Sequence, residues 1–283
     1  TLDIRGDIPI PKTLYTNGFI KKSFHACEEF LNKSVDDKEK SIALTVIGVI
    51  FDETGRYPVA IERLNKAVNY DPENVYAFYN LALAYKHAGM INDARQAVMK
   101  AKKLAPNNPR IALLAGNFYN SLGEGNSALE TYLNGLSESP DDPYLLYNLA
   151  ITYYRQGKVP EAIESFTKVI RTGGNDRILA LSHGHLGTVF YNREELDKAE
   201  HHFREALRVI PEEAKYLYNL GIILQQKNEN EEATKLFSRA VQAGSNDHEI
   251  YTYIAESFRK LKLNKLAIES LKKGLELKPD RFE

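Results

Sequence analysis

The sequence predicts an all-α solenoid of stacked helix-turn-helix units, and three observations carry that prediction. Seven alanines, Ala60, Ala94, Ala128, Ala162, Ala199, Ala233 and Ala267, recur at intervals of 34 residues, with one interval of 37. Further small and large apolar positions keep register with them. Glycines and prolines punctuate the period at constant offsets. A self-similar period of this length marks a stacked-repeat protein, in which each unit buries its apolar face against its neighbours.

With the recurring alanine at position 20, the units begin at Ser41, Val75, Pro109, Pro143, Ala180, Ala214 and His248. Position 8 is small throughout: Gly48, Ala82, Gly116, Ala150, Gly187, Gly221 and Ala255. Position 27 is small in all but one: Ala67, Ala101, Gly135, Val169, Ala206, Ala240 and Gly274. Small residues let helices approach closely. Large ones fill the holes that remain, at position 11 (Phe51, Tyr85, Tyr119, Tyr153, Phe190, Leu224, Phe258) and position 24 (Leu64, Val98, Tyr132, Phe166, Phe203, Phe237, Leu271). Gly55, Gly89, Gly123 and Gly157 stand at position 15, where the first helix stops and the chain reverses. Pro72, Pro106, Pro140, Pro211 and Pro279 at position 32 end the second helix. Asn108-Pro109 and Asp142-Pro143 then offer a cap and a first-turn proline.

The chain departs from this rule in four places. Between Ala162 and Ala199 the three extra residues predict a longer first helix from Arg177 to Asn192, or else a loop insertion. From the fifth unit onward position 15 loses its glycine, becoming Glu194, Asn228 and Lys262. Residues 1–40 fit no clean unit. Pro9, Pro11 and Asn17-Gly18 suggest an extended lead-in and a turn, while Ile20, Phe24, Cys27, Phe30 and Leu31 are spaced for one buried face of a capping helix or degenerate repeat. Ile268, Leu275 and Leu277 leave the last helix apolar, with no polar capping helix after it.

The bulk properties exclude several function classes. Of 283 residues 43% are hydrophobic, and 37 Lys+Arg stand against 38 Asp+Glu, a balance that offers no basic field for nucleic acid. No apolar run reaches the ~18 residues of a membrane span, so no membrane insertion is expected. Thr1 is followed by no basic and apolar leader, so a processed or partial form is expected, from which any targeting signal is missing. Cys27 stands alone, which excludes an internal disulfide and leaves a cytoplasmic or periplasmic location open.

Catalytic and metal patterns are weak. His183 and His185 are two apart on a predicted helix and point to different faces, and His201 and His202 are adjacent; neither pair has the i, i+4 spacing of a helical zinc site. Cys27 reads as a small core residue. Gly123-Glu124-Gly125 is a helix-helix turn and no phosphate loop. Nothing assembles an acid, a base and a nucleophile, so the reading is of a non-enzyme with neither cofactor nor metal.

The unit resembles the tetratricopeptide repeat: 34 residues, small at 8, 20 and 27, proline near 32. The resemblance covers residues 41–281, as seven units at 41–74, 75–108, 109–142, 143–179, 180–213, 214–247 and 248–281. The RNA-reading pentatricopeptide repeat runs at 35 residues and fits less well. The resemblance implies a right-handed superhelix whose first helices line a concave face at positions 2, 5, 6, 9, 12 and 13.

Position 6 holds Asn80, Asn148 and Asn219 inside near-identical Tyr-Asn-Leu segments, similar to the asparagine ladder of the O-GlcNAc transferase repeats, whose amides grip a peptide backbone. One amide offers both donors and an acceptor. The ladder is interrupted by Val46, Leu114, His185 and Tyr253, and the same amides can bond a neighbouring helical turn instead. Tyr76, Tyr79, Tyr144, Tyr147, Tyr154, Tyr191 and Tyr218 fall at the implied concave positions, with Arg110, Asn117 and Arg155 nearby. Tyrosine combines contact area with a polar tip, which suits binding hot spots. The Lys/Arg carboxylate clamp of the chaperone-binding members is not met, because its places hold Tyr, Leu and Asn.

The expected function is therefore a protein-interaction scaffold that holds a protein or peptide partner in the groove of its first helices. Two alternatives stand beside it. One is a structural assembly component, as in bacterial envelope or motor complexes, that self-associates through its terminal faces or convex side. The other is the substrate-recruiting region of a larger enzyme.

Overall fold

The computed structural model describes residues 17–33, 36–245 and 249–277; among them every regular element is an α-helix. Helix α1 (Asn17–Leu31) precedes seven pairs. These are α2 (Asp37–Glu53) with α3 (Tyr57–Tyr70), α4 (Val75–His87) with α5 (Ile91–Leu104), and α6 (Pro109–Ser121) with α7 (Gly125–Glu138). Then follow α8 (Pro143–Arg155) with α9 (Val159–Thr172) and α10 (Asp176–Asn192) with α11 (Leu196–Val209). The last are α12 (Ala214–Gln226) with α13 (Asn230–Gln242) and α14 (Glu249–Lys260) with α15 (Asn264–Leu277). The chain divides at Pro140–Asp141 into two compact units, so α1–α7 and α8–α15 are described separately.

Within each unit the second helix of a pair packs on its own first helix and on the first helix of the next pair. The fit that permits this joins positions 8 and 24. A Cβ placed on Gly221 would stand 2.6 Å from the Phe237 ring, and one on Gly48 2.5 Å from Leu64. Leu64, Tyr132, Phe166, Phe203 and Phe237 are accordingly buried, as are all seven recurring alanines. Helix ends follow the expected chemistry. Asn108 and Asp142 accept hydrogen bonds from the N–H groups of the next helix's first turn, each followed by proline at that helix's first position. Asn74 and Asn175 cap α4 and α10 in the same way.

The turns inside the pairs share one geometry. In all seven, the N–H at position 16 donates to the carbonyl at position 11 over 2.8–3.0 Å, as Arg56 does to Phe51 and Leu263 to Phe258. This six-to-one bond needs position 15 in the left-handed region. Gly55, Gly89, Gly123 and Gly157 adopt φ of +74° to +78°, and Glu194, Asn228 and Lys262 hold φ of +61° to +65° without glycine's freedom. Loss of the glycine leaves the backbone of the later turns unchanged and loads it with steric strain.

The long interval is helix: α10 has 17 residues against 13 in α8 and α12. Asn17-Gly18 does not form a turn but opens α1, a helix end at which Asn and Gly are well tolerated. Helix α1 packs on α2, with buried Cys27 beside Ala43 and Ile47, and Phe24, Phe30 and Leu31 half-buried around them. Burial pushes the Cys27 thiol above its ordinary range, as befits a core residue. The lead-in at Pro9 and Pro11 and the side chains of Ile20 and Leu277 lie outside the described residues.

A left-handed residue with a side chain costs about 1–2 kcal/mol, of which glycine's extra unfolded-state entropy returns about 0.4–1. Glu194→Gly and Lys262→Gly are each expected to stabilise by about 0.5–1 kcal/mol, and Gly157→Ala to destabilise by about 1. Urea unfolding of the three variants checks this; unchanged or lowered midpoints for the glycine variants contradict it.

Candidate functional site

The expected site residues all lie on first helices, because positions 2, 5, 6, 9, 12 and 13 recur on one side of a 3.6-residue helix. In the first unit these are Tyr76, Tyr79 and Asn80 on α4 and Arg110 and Asn117 on α6. Tyr76 is 40% exposed. Tyr79 is half-buried at the wall of a cavity of about 180 Å³ between α4, α5 and α6, to which Asn117 also contributes. Burial raises the Tyr79 hydroxyl pKa, and the Arg110 guanidinium partly opposes that shift. Asn117 is tied to the interior: its Oδ1 accepts from the hydroxyl of buried Tyr132 over 2.7 Å.

In the second unit, α8 carries Tyr144, Tyr147, Asn148, Tyr154 and Arg155; α10 carries Tyr191, and α12 carries Tyr218 and Asn219. Here the tyrosine hydroxyls are used inside the fold. Asn175 donates to the Tyr144 hydroxyl at 2.8 Å, Asn192 to that of Tyr154 at 3.1 Å, and Gln226 to that of Tyr191 at 3.1 Å. The last two are one device, a position-12 tyrosine clasped by the position-13 amide of the following repeat. The first unit makes the same join with different chemistry, the Asp52 carboxylate meeting His87 Nδ1 at 3.0 Å. Tyr144 nonetheless keeps its ring in the open, 44% exposed.

Two three-ring clusters stand on this face. Tyr147 meets Phe166 edge-on at 5.9 Å, and His185 stacks on Phe166 at 5.3 Å while its Nε2 lies 3.1 Å from the Tyr147 hydroxyl. Tyr218, Phe237 and Tyr253 repeat the arrangement, with centroids 5.7–6.0 Å apart. Both sets come from position 5, position 24 and position 6 of the next repeat, so one rule of spacing builds them. Such pairs contribute about 0.5–1.5 kcal/mol beyond their buried area.

The position-6 asparagines are partly spent on their own helices. Asn80 donates to the Tyr76 carbonyl at 2.7 Å, and Asn148 to the Tyr144 carbonyl at 2.8 Å. Each thus spends one of its two amide N–H donors on the preceding turn and keeps the other N–H beside its acceptor oxygen. Asn219 is half-buried at the same place on α12. Arg110 and Arg155 are exposed.

The histidines are arranged by packing across helices, which spacing along one helix does not reveal. His183 and His185 do face opposite ways, toward α11 and α8. His183 Nδ1 meets His202 Nδ1 at 3.0 Å, and His202 stacks on Phe190 at 5.4 Å. No cluster of three metal-ligating side chains is found among the described residues.

Burial lowers the His185 pKa to about 4, with Lys215 and Arg155 adding repulsion. Burial, His183 and His201 lower His202 to about 4. An unfolded histidine titrates near ~6.5, so on acidification the unfolded chain takes up protons first. Stability is then full above pH ~6.5 and is lost as the pH falls toward 4. Between pH 7.5 and 5.5 the loss is expected to be about 1 kcal/mol per histidine. Urea midpoints at the two pH values, with His185→Gln and His202→Gln together flattening the difference, check this.

Comparison with known proteins agrees with this architecture. Family models described as TPR repeat match residues 48–89 and 116–157, and models of the tetratricopeptide repeat match 75–108, 144–212, 186–248 and 248–281. A BBSome complex member of Bos taurus is 23% identical over 78% of this chain and 42% of its own length. A peroxisomal targeting signal receptor of Eremothecium gossypii is 28% identical over 69% of this chain and 34% of its own length. The chain thus spans less than half of either relative. The solved C-terminal part of a TPR repeat-containing protein from Cytophaga hutchinsonii superposes with a TM-score of 0.68 at 17% identity, covering 84% of this chain and 96% of that one. Among the described residues no helix is long and apolar enough to cross a membrane. The chain belongs to the tetratricopeptide repeat family.

Proposed function

We propose that this chain is a non-catalytic protein-interaction scaffold that holds a segment of a partner protein against its first helices. One observation carries the reading. Among the described residues, Tyr76 and Tyr144 are the two large apolar side chains left exposed on first helices, and both occupy position 2, two repeats apart. The other rings at these positions are drawn into clusters or clasps or, at Tyr79, into the wall of a cavity. An exposed aromatic ring on a rigid, pre-formed helix suits a binding anchor. The relatives' names agree, one a receptor and one a member of a complex.

A second reading is favoured by α15. Leu271 at position 24 is 44% exposed, whereas the same position in the other pairs is buried, and Leu266, Ile268 and Leu275 are exposed beside it. Assembly through that helix would cover them. Light scattering of the chain at tens of micromolar separates the two readings, a monomer speaking against self-assembly.

Capture of proteins from the native cell extract tests the first reading. Tyr76→Ala with Tyr144→Ala is expected to weaken capture about tenfold or more. Met99→Ser with Leu133→Ser, which alters exposed residues of second helices, is expected to leave it unchanged. Equal capture by all three proteins contradicts the proposal.

A further inference from the structure

The cavity of the first unit has an origin in the repeat pattern. Its wall includes Tyr79, Val98 and Leu114, which are position 5, position 24 and position 6 of the next repeat. These are the three places that hold Tyr147, Phe166 and His185, and again Tyr218, Phe237 and Tyr253, in the second unit. There the three rings fill the space. Here valine stands where phenylalanine does and leucine where histidine or tyrosine does, so a single tyrosine remains. About 180 Å³ is left open, slightly more than the ~150 Å³ void that admits a benzene ring.

The surroundings are cationic. Lys86 lines the cavity together with Leu83, and no acidic side chain does. Arg110 is near enough to act on the Tyr79 hydroxyl. An ammonium beside the cavity favours both the face of an aromatic ring and a carboxylate next to it.

We infer that this cavity receives an aromatic side chain of the partner segment, one flanked by Asp or Glu, which completes the three-ring cluster that the second unit builds from its own residues. The inference rests on the scaffold reading above and names the chemistry of what that scaffold holds. Tyr79 supplies the edge contact, Val98 and Leu114 the walls, and Lys86 the counter-charge to the flanking carboxylate.

The test is selection of a phage-displayed random peptide library on the full chain, followed by affinity measurement of the enriched peptides by fluorescence anisotropy. Enriched peptides are expected to carry Phe, Tyr or Trp within two residues of Asp or Glu. Val98→Phe supplies the missing ring from within and is expected to weaken them at least tenfold while retaining the circular dichroism of the parent. Leu114→Glu, at the half-buried wall, puts a carboxylate into the same cavity without enlarging the core, repels the acidic flank of the peptide, and is expected to act alike. Lys86→Glu is expected to weaken the same peptides and to recover those whose acidic residue is replaced by Lys.

Enriched peptides that lack the aromatic-acidic pair overturn the inference. So do peptides whose affinity survives Val98→Phe and Leu114→Glu. If such peptides are instead lost on Tyr76→Ala with Tyr144→Ala, the cavity assignment falls and the scaffold reading stands. Failure to enrich any peptide contradicts both.

Discussion

Each first helix carries a bare patch at position 8, and the large side chain at position 24 of the second helix enters it. Every other contact is placed by that fit. At Gly116 and Gly221 the helix backbone lies so near Tyr132 and Phe237 that even a methyl group would collide with the ring. Burying one such side chain is worth about 1.5–3 kcal/mol, and the array repeats it in the first six pairs. The fit also determines where the next repeat lies, because the second helix, seated this closely, presents its far side to the following first helix. Rings at positions 5 and 6 then converge on position 24. The clusters on the first-helix face are a consequence of the core, extended outward.

This coupling explains why a change of core residue has a surface effect. Position 24 reaches from the interior to the first-helix face, so Val98 in place of phenylalanine, together with Leu114 in place of a ring, leaves the core closed and a cavity open on that face. The tyrosine clasps work in the opposite direction. With its hydroxyl bonded to the next repeat, Tyr154 or Tyr191 stiffens the face and offers a partner mainly its ring. An ordered face loses little entropy on binding, which favours affinity without a large contact area.

Much of the fold was legible in the sequence because it is periodic. The seven helix pairs, the capping by Asn108 and Asp142, and the long fifth first helix follow from spacing, glycine and proline. The later turns were only partly legible, since Glu194 and Lys262, unlike Asn228, carry no mark of the left-handed backbone they adopt; the six-to-one bond imposes it. The site was read less completely. Spacing places a residue on a face but does not say whether its polar atoms are spent there, so the inward bond of Asn117 and the back-bonds of Asn80 and Asn148 emerge only in three dimensions. The meeting of His183 with His202 is likewise a product of helix packing. The missing ring at Val98 was present in the list of position-24 residues and became meaningful once the two complete clusters showed what the position does.

The central claim is that the first-helix face, and not the second-helix face, meets a partner protein. A photoreactive benzoyl-phenylalanine in place of Tyr76 or Tyr144, compared with the same group in place of Met99 or Leu133, tests it within the living cell. The account predicts covalent adducts to another protein from the two tyrosine positions and none from the other two. Adducts confined to Met99 and Leu133 would contradict it.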